Sequence, residues 1–286
     1  MEFLLQWLSE PFAYPFMQCA IIAAIVTGVV CAVLSCYLVL KGWSLMGDAI
    51  SHAVLPGIVL AFVFSIPLVI GAFLSGIFCA VATGYLKEHS RVKEDTVMGI
   101  VFSGMFAFGL VLFARIDTDQ HLSHILFGNM LGITDGELRQ TLWIAGITLA
   151  IVLLKRQDFM LYCFDPNHAR VIGLPVKLLH YGLLCLLALT IVASLQAVGV
   201  ILVIAMLIAP GIIAFTLCRS FNRMLIVATI ASVFSCVLGT LISFHIDGAT
   251  GPCIVIVQAL LFVIALLYSH FKPVQRHEIT VVKTNS

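Results

Sequence analysis

Charge is scarce in this sequence. Asp, Glu, Lys and Arg make up 10% of its 286 residues, against about 25% in an ordinary soluble domain, so it has too little polar surface to face water on all sides. The charges that are present nearly cancel, at a formal +1, and offer no basic surface that would point to nucleic acid as a partner. Several motifs are missing as well. No Gly-x-x-x-x-Gly-Lys-Ser/Thr run or Gly-x-Gly-x-x-Gly run occurs, which excludes ATP hydrolysis through a P-loop and a dinucleotide fingerprint. Neither a Gly-x-Ser-x-Gly elbow nor a His-Glu-x-x-His helix is found, which lowers the case for a membrane hydrolase. The nine cysteines are scattered with no Cys-x-x-Cys, and read as small buried hydrophobes. A basic n-region and a small-residue cleavage site are lacking at the N-terminus, where Glu2 and Glu10 stand instead; no cleaved signal peptide is expected.

What the chain does have is apolar length. Hydrophobic residues reach 62% and the mean hydropathy is +1.14. The apolar runs are long enough for helices to cross a bilayer, and they lack the alternation of a membrane barrel. The expectation is an all-α, polytopic integral membrane protein of about 8–9 transmembrane helices, at 16–40, 44–66, 68–86, 96–114, 138–154, 178–197, 199–217, 224–244 and 253–271. Pro210 leaves open whether the seventh is a full span or a broken one. Placing the N-terminus outside puts thirteen of the fifteen Lys and Arg residues in inner loops, with only Arg115 and Arg139 outside, as the positive-inside rule requires. Three spans carry small residues at every fourth position: Ala20, Ala24, Gly28 and Ala32; Ala49, Ala53, Gly57 and Ala61; Gly99, Ser103 and Ala107. Such stripes let helix backbones approach closely in lipid.

The second span holds the segment Gly47-Asp48-Ala49-Ile50-Ser51-His52-Ala53-Val54-Leu55-Pro56-Gly57. Ionisable groups inside an apolar span are functional suspects, and on a helix Asp48 and His52 stack one above the other, with Cβ atoms about 6 Å apart. Pro56 has no N–H for the carbonyl of His52, so a bend is expected there. The pair could address one small cation. A plainer reading, in which the two side chains only satisfy each other in a helical bundle, fits the spacing equally well. The topology places the pair about one to two turns from the cytoplasmic end of its span.

Other candidates lie in loops. The outer segment Asp117-Thr118-Asp119-Gln120-His121-Leu122-Ser123-His124 offers His121 and His124 as a cation-attracting mouth, or as a solvated polar loop. His245 and Asp247 offer a weaker version, and Glu94 with Asp95 suits a helix start. On the inner side, Asp165-Pro166 reads as an N-cap and N1 pair and Gly173 with Pro175 as a stop, which predicts a short helix over about 166–172. Asp48 and His52 alone are too few ligands to strip a divalent cation of its water. Two copies facing across a dimer axis would supply two carboxylates and two imidazoles, a mixed O/N set suited to Mn²⁺, Fe²⁺ or Zn²⁺.

The run Lys41-Gly42-Trp43-Ser44-Leu45-Met46-Gly47-Asp48-Ala49-Ile50-Ser51-His52-Ala53-Val54-Leu55-Pro56-Gly57 resembles the metal-type ABC transporter permease family. So do, further along, Glu94-Asp95-Thr96-Val97-Met98-Gly99-Ile100-Val101-Phe102-Ser103, His124-Ile125-Leu126-Phe127-Gly128-Asn129, Phe164-Asp165-Pro166 and Gly173-Leu174-Pro175. This is the family of manganese, zinc and chelated-iron uptake systems, and the chain is most similar to bacterial manganese/iron permease subunits. The resemblance runs through nearly the whole length. It implies a single permease domain, 1–286, in the bacterial cytoplasmic membrane, with Asp48 and His52 in the translocation site and Mn²⁺ or Fe²⁺ as cargo, Zn²⁺ being the alternative. A coupling helix at about 165–174, carrying Asp165, Pro166, Ala169, Arg170, Gly173 and Leu174, would meet a cytoplasmic ABC ATPase. A metal-binding protein would deliver cargo outside, and a second permease subunit, identical or paralogous, would complete the pathway within membrane lipid. On this reading the chain is no enzyme and holds no permanent cofactor. The alternatives are a zinc-specific ABC permease, or a proton-coupled secondary metal transporter using Asp48 and His52 as its proton-linked pair.

Overall fold

A computed structural model describes residues 10–43, 45–92, 94–115 and 132–271. Among these the chain is helical without strands. After a 3₁₀ turn at Glu10–Ala13 come α1 (Pro15–Lys41), α2 (Met46–Ala53), α3 (Leu55–Val63), α4 (Leu68–Glu88), α5 (Glu94–Phe113) and α6 (Asp135–Leu154). Then follow α7 (Arg156–Phe164), α8 (Pro166–Val171), α9 (Val176–Val198), α10 (Val200–Leu217), α11 (Phe221–Ile246) and α12 (Thr250–Phe271). Taking α2 with α3 as one span, nine segments among the described residues are long and apolar enough to cross a membrane. They fall where the nine runs were expected. Pro210 lies inside a continuous α10, so the seventh span is whole; Gly199, at φ +80°, alone separates it from α9.

The bundle is built around α1, which packs on α10 and α11, with α12 closing the far side of both. A second group, α2 to α5, packs mainly on itself, and α9 ties the two together through contacts with α1, α2, α4 and α6. The small-residue stripe of α1 makes a tight seam. Ala20, Ala24 and Ala32 are fully buried, and a Cβ on Gly28 would lie 2.8 Å from both Cys236 Sγ and Ser232 Oγ of α11. Across that seam the Ser232 hydroxyl donates to the Gly28 carbonyl at 2.9 Å. Several buried polar side chains turn back on their own helix, as Thr190 does onto Leu186 and Thr240 onto Cys236, which gives the hydroxyl a partner away from water. Outside the spans, burial pushes the Cys163 thiol of α7 up to about 12, partly opposed by the Lys41 ammonium.

The topology read from charge is consistent with the packing. Lys41, at the end of α1, lies 4.3 Å from the centre of the Tyr162 ring on α7, so the loops after spans one and five share an end. Tyr14 and Phe244, whose ring centres are 5.8 Å apart, mark the other end.

Candidate metal site and docking helix

The approach to the site is made by the turn after α1. Gly42 adopts the left-handed conformation at φ +76°, and its neighbour Trp43 donates its N–H back to the Leu38 carbonyl at 2.8 Å. This closure folds the chain under the bundle: Trp43 and Met46 are buried, so α2 begins inside the protein. A Cβ on Gly76 of α4 would meet Ile50 of α2 and Ala188 of α9 together. Ala188 is twelve positions from the inner start of α9, about 18 Å at helical rise, so Ile50 sits half-way down the bundle. By chain count Asp48 and His52 are in the first two turns of their span, as expected. In depth they lie near its middle, because the chain is already buried at Trp43 and Met46, where the helix starts.

Asp48 Oδ1 and His52 Nε2 are 3.3 Å apart, with side chains 33% and 29% exposed. The imidazole lies nearly parallel to the Phe102 ring of α5, at 6.2 Å, and edge-on to Phe106 at 5.1 Å. These two aromatic walls were not singled out from the sequence; their spacing of four, matching that of Asp48 and His52, was the available signal. Behind the pair the backbone is fixed tightly. The Ser51 hydroxyl donates to the Gly47 carbonyl at 2.7 Å, and the Ser75 hydroxyl of α4 donates to the Ala53 carbonyl at 2.6 Å. The helix is interrupted at Val54, between α2 and α3, where Pro56 denies His52 its usual donor. Beyond the break, α3 and α4 touch backbone to backbone through Gly57 and Gly71, where any Cβ would collide.

The stripe is therefore filled at Ala53, Gly57 and Ala61 by this chain's own α4, and Ala49 is buried, while the polar pair beside it stays partly open. No group of three or more His, Cys, Asp or Glu residues able to hold a metal occurs among the described residues. Among the described residues, one chain brings two candidate ligands together here. On α5 the stripe Gly99, Ser103 and Ala107 runs one position after Phe102 and Phe106, and it is not packed: Ser103 and Ala107 are exposed, and nothing lies within 4 Å of a Cβ built on Gly99.

His121 and His124 lie outside the described residues. His245 does not join Asp247 in a ligand set: its Nδ1 pairs with the Leu241 carbonyl at 2.9 Å, and Asp247 closes α11 in the left-handed conformation at φ +54°.

On the inner face, α8 is the short helix expected over 166–172. The Asp165 carboxylate accepts from the N–H groups of Asn167 and His168 at 2.9 and 3.1 Å, and Pro166 occupies the first helical position. Its other end is closed by Gly173 at φ +88°, with Gly173 N–H donating to the Arg170 carbonyl and Leu174 N–H to Ala169, a paired closure that only a left-handed residue permits. Ala169 is fully buried beneath the helix, while Phe164, Val171 and Ile172 are 80%, 84% and 59% exposed. Apolar side chains displayed on a rigid, doubly capped helix form a surface another protein can grip.

A cluster that spacing did not reveal links this helix to the site. The Tyr162 hydroxyl of α7 is 2.7 Å from His180 Nδ1 of α9, the Trp43 and His180 rings meet edge-on at 5.2 Å, and Lys41 lies over both Tyr162 and Trp43. Tyr162 and Trp43 are buried. Trp43 and His180, which meet here, are 137 positions apart in the chain, so no local pattern could have announced them.

Residues 13–269 match the ABC 3 transport family. The chain belongs to that family. As a member of the ABC 3 transport family it is 85% identical, over 96% of its length and 93% of the relative's, to the chelated iron transport system membrane protein YfeD of Yersinia pestis. It is 55% identical, over 91% of its length and 85% of the relative's, to the manganese transport system membrane protein MntB of Synechocystis. Among solved structures it resembles a chain of PsaBC from Streptococcus pneumoniae in complex with Fab, with a TM-score of 0.83 and 35% identity, covering 92% of this chain and 95% of that one. A permease of this family is a multi-pass membrane subunit.

Proposed function

We propose that this chain is the permease subunit of an ABC importer in the bacterial cytoplasmic membrane and that its cargo is Mn²⁺ or Fe²⁺. The observation that carries the reading is the Asp48–His52 pair, held 3.3 Å apart at mid-depth, partly open and short of a full ligand set. A carboxylate and an imidazole form a hard and borderline donor pair suited to these ions, with Zn²⁺ as the competitor that affinity alone would favour. The relatives named for chelated iron and for manganese support the same cargo.

The pair is a half-site. A second permease subunit, identical or paralogous, seats against the open α5 face and brings its own carboxylate and imidazole. Asp48 neutralises cargo charge, His52 disfavours Ca²⁺ and Mg²⁺, and Phe102 and Phe106 keep water from the imidazole. A metal-binding protein outside delivers the ion, with His121 and His124 as an outer mouth. A cytoplasmic ATPase grips α8 through Phe164, Val171 and Ile172, with Asp165, Pro166, Ala169, Arg170, Gly173 and Leu174 shaping that helix. Its motion reaches the site through α7, Tyr162, His180 and Trp43, the residue that leads the chain into α2.

The test is uptake of radiolabelled Mn²⁺ by proteoliposomes of the assembled complex. Asp48→Ala and His52→Ala should each bring uptake to background while the ATPase still co-purifies. Uptake that survives both substitutions would refute the site.

A further inference from the structure

The outer wall of the bundle carries a groove that the transport pathway does not use. It runs between α1, α6 and α11 with a volume of about 580 Å³. Val33 and Leu225 form its buried floor, and Leu153, Ile226 and Ile230 its exposed walls. At one end it reaches Arg156 and Asn222, and both residues also line a second, more polar hollow of about 220 Å³ with Gln157 and Ser220. One continuous feature thus has an apolar shaft and a polar head, with a guanidinium where they join.

We infer that this feature binds a glycerophospholipid with an anionic headgroup from the cytoplasmic leaflet. Three observations select that occupant. First, Asn222, Ile226 and Ile230 recur at every fourth position as a ridge along α11; the eight positions from first to last span about 12 Å, close to the roughly 15 Å of one leaflet's hydrocarbon. Second, the polar end lies on the side that holds the inner loops, where anionic lipid headgroups meet basic pockets between helices. Third, the charge there is unbalanced. The nearby Asp158 is taken by Lys155 at 3.2 Å, and neither Arg156 nor Arg223 has a carboxylate partner among the described residues. A headgroup with net negative charge fits that surplus; a zwitterionic one carries the same phosphodiester, but its own ammonium offsets the charge and is repelled by the guanidinium.

The test is native mass spectrometry of the full-length chain released from detergent. Dioleoylphosphatidylglycerol is titrated against dioleoylphosphatidylcholine and against glycerophosphoglycerol, which has the same headgroup and no chains. The expected result is preferential retention of phosphatidylglycerol. Arg156→Gln should lower it about fivefold, the effect of one basic residue at a membrane surface, and Arg156→Lys should restore most of it. Ile230→Trp, which fills the shaft and leaves the head intact, should lower retention of phosphatidylglycerol as well. If Arg156→Gln does not elute as wild type, Ile230→Trp carries the test alone. Equal retention of the two lipids, retention unchanged by Ile230→Trp, or equal binding of glycerophosphoglycerol would each overturn the assignment, the last by showing an anion site only.

Discussion

The small-residue stripes of α1 and α5 look alike as sequence and differ in what fills them. On α1, Ala20, Ala24, Gly28 and Ala32 are buried under α11, with Ser232 and Cys236 seated against Gly28. On α5, Gly99, Ser103 and Ala107 face outward with nothing against Gly99. A stripe of this kind reports that a helix approaches closely; it does not report whose helix it is. The filled stripe belongs to the fold. The open one adjoins the walls of the Asp48–His52 pair, where the proposed second permease subunit would seat and complete the ligand set.

One substitution type separates the two stripes most sharply. Gly28→Leu should destabilise the chain by about 3 kcal/mol, since a well-packed seam cannot take the added volume; loss of a single peak in size exclusion and faster proteolysis in membranes would register it. Ser103→Leu should leave the isolated chain folded and abolish permease pairing and Mn²⁺ uptake together. If Ser103→Leu unfolds the chain while Gly28→Leu is tolerated, the contrast is reversed and the account of both faces fails.

Smaller effects sharpen the link between the docking helix and the site. Tyr162→Phe removes one hydrogen bond to His180, worth about 1 kcal/mol, and should cut metal transported per ATP hydrolysed about fivefold with ATPase binding unchanged. Asp165→Ala removes a double cap and should cost about 1 kcal/mol locally, seen as weaker co-purification of the ATPase. The smallest effect concerns Cys163. With its thiol pushed up to about 12, the reactive thiolate forms only as pH approaches that value, so maleimide at pH 8 should leave Cys163 unlabelled in the folded chain and modify it after denaturation.

Much of this was legible beforehand. Apolar length is an additive signal, and it located all nine spans among the described residues; the basic loops grouped the span ends into two sets that agree with the packing. The caps of α8 are written locally in Asp165-Pro166 and Gly173, so that helix was found to within a residue or two. Asp48 and His52 stood out because charge in a span is costly. Their depth was hidden, because it depends on Gly42 turning left-handed and on Trp43 finding a buried place against His180, 137 positions away. The Tyr162–His180–Trp43–Lys41 cluster was invisible for the same reason: it is a tertiary meeting without a periodicity.

The central claim, that the pair is half of a site, is tested most directly by counting ligands. X-ray absorption on the assembled complex loaded with Mn²⁺, in a variant with His121 and His124 replaced by Ala, reports the imidazole nitrogens around each ion. Two per ion, both lost with His52→Ala, is the expected result. One imidazole per ion, with one ion bound to every permease chain, would contradict it.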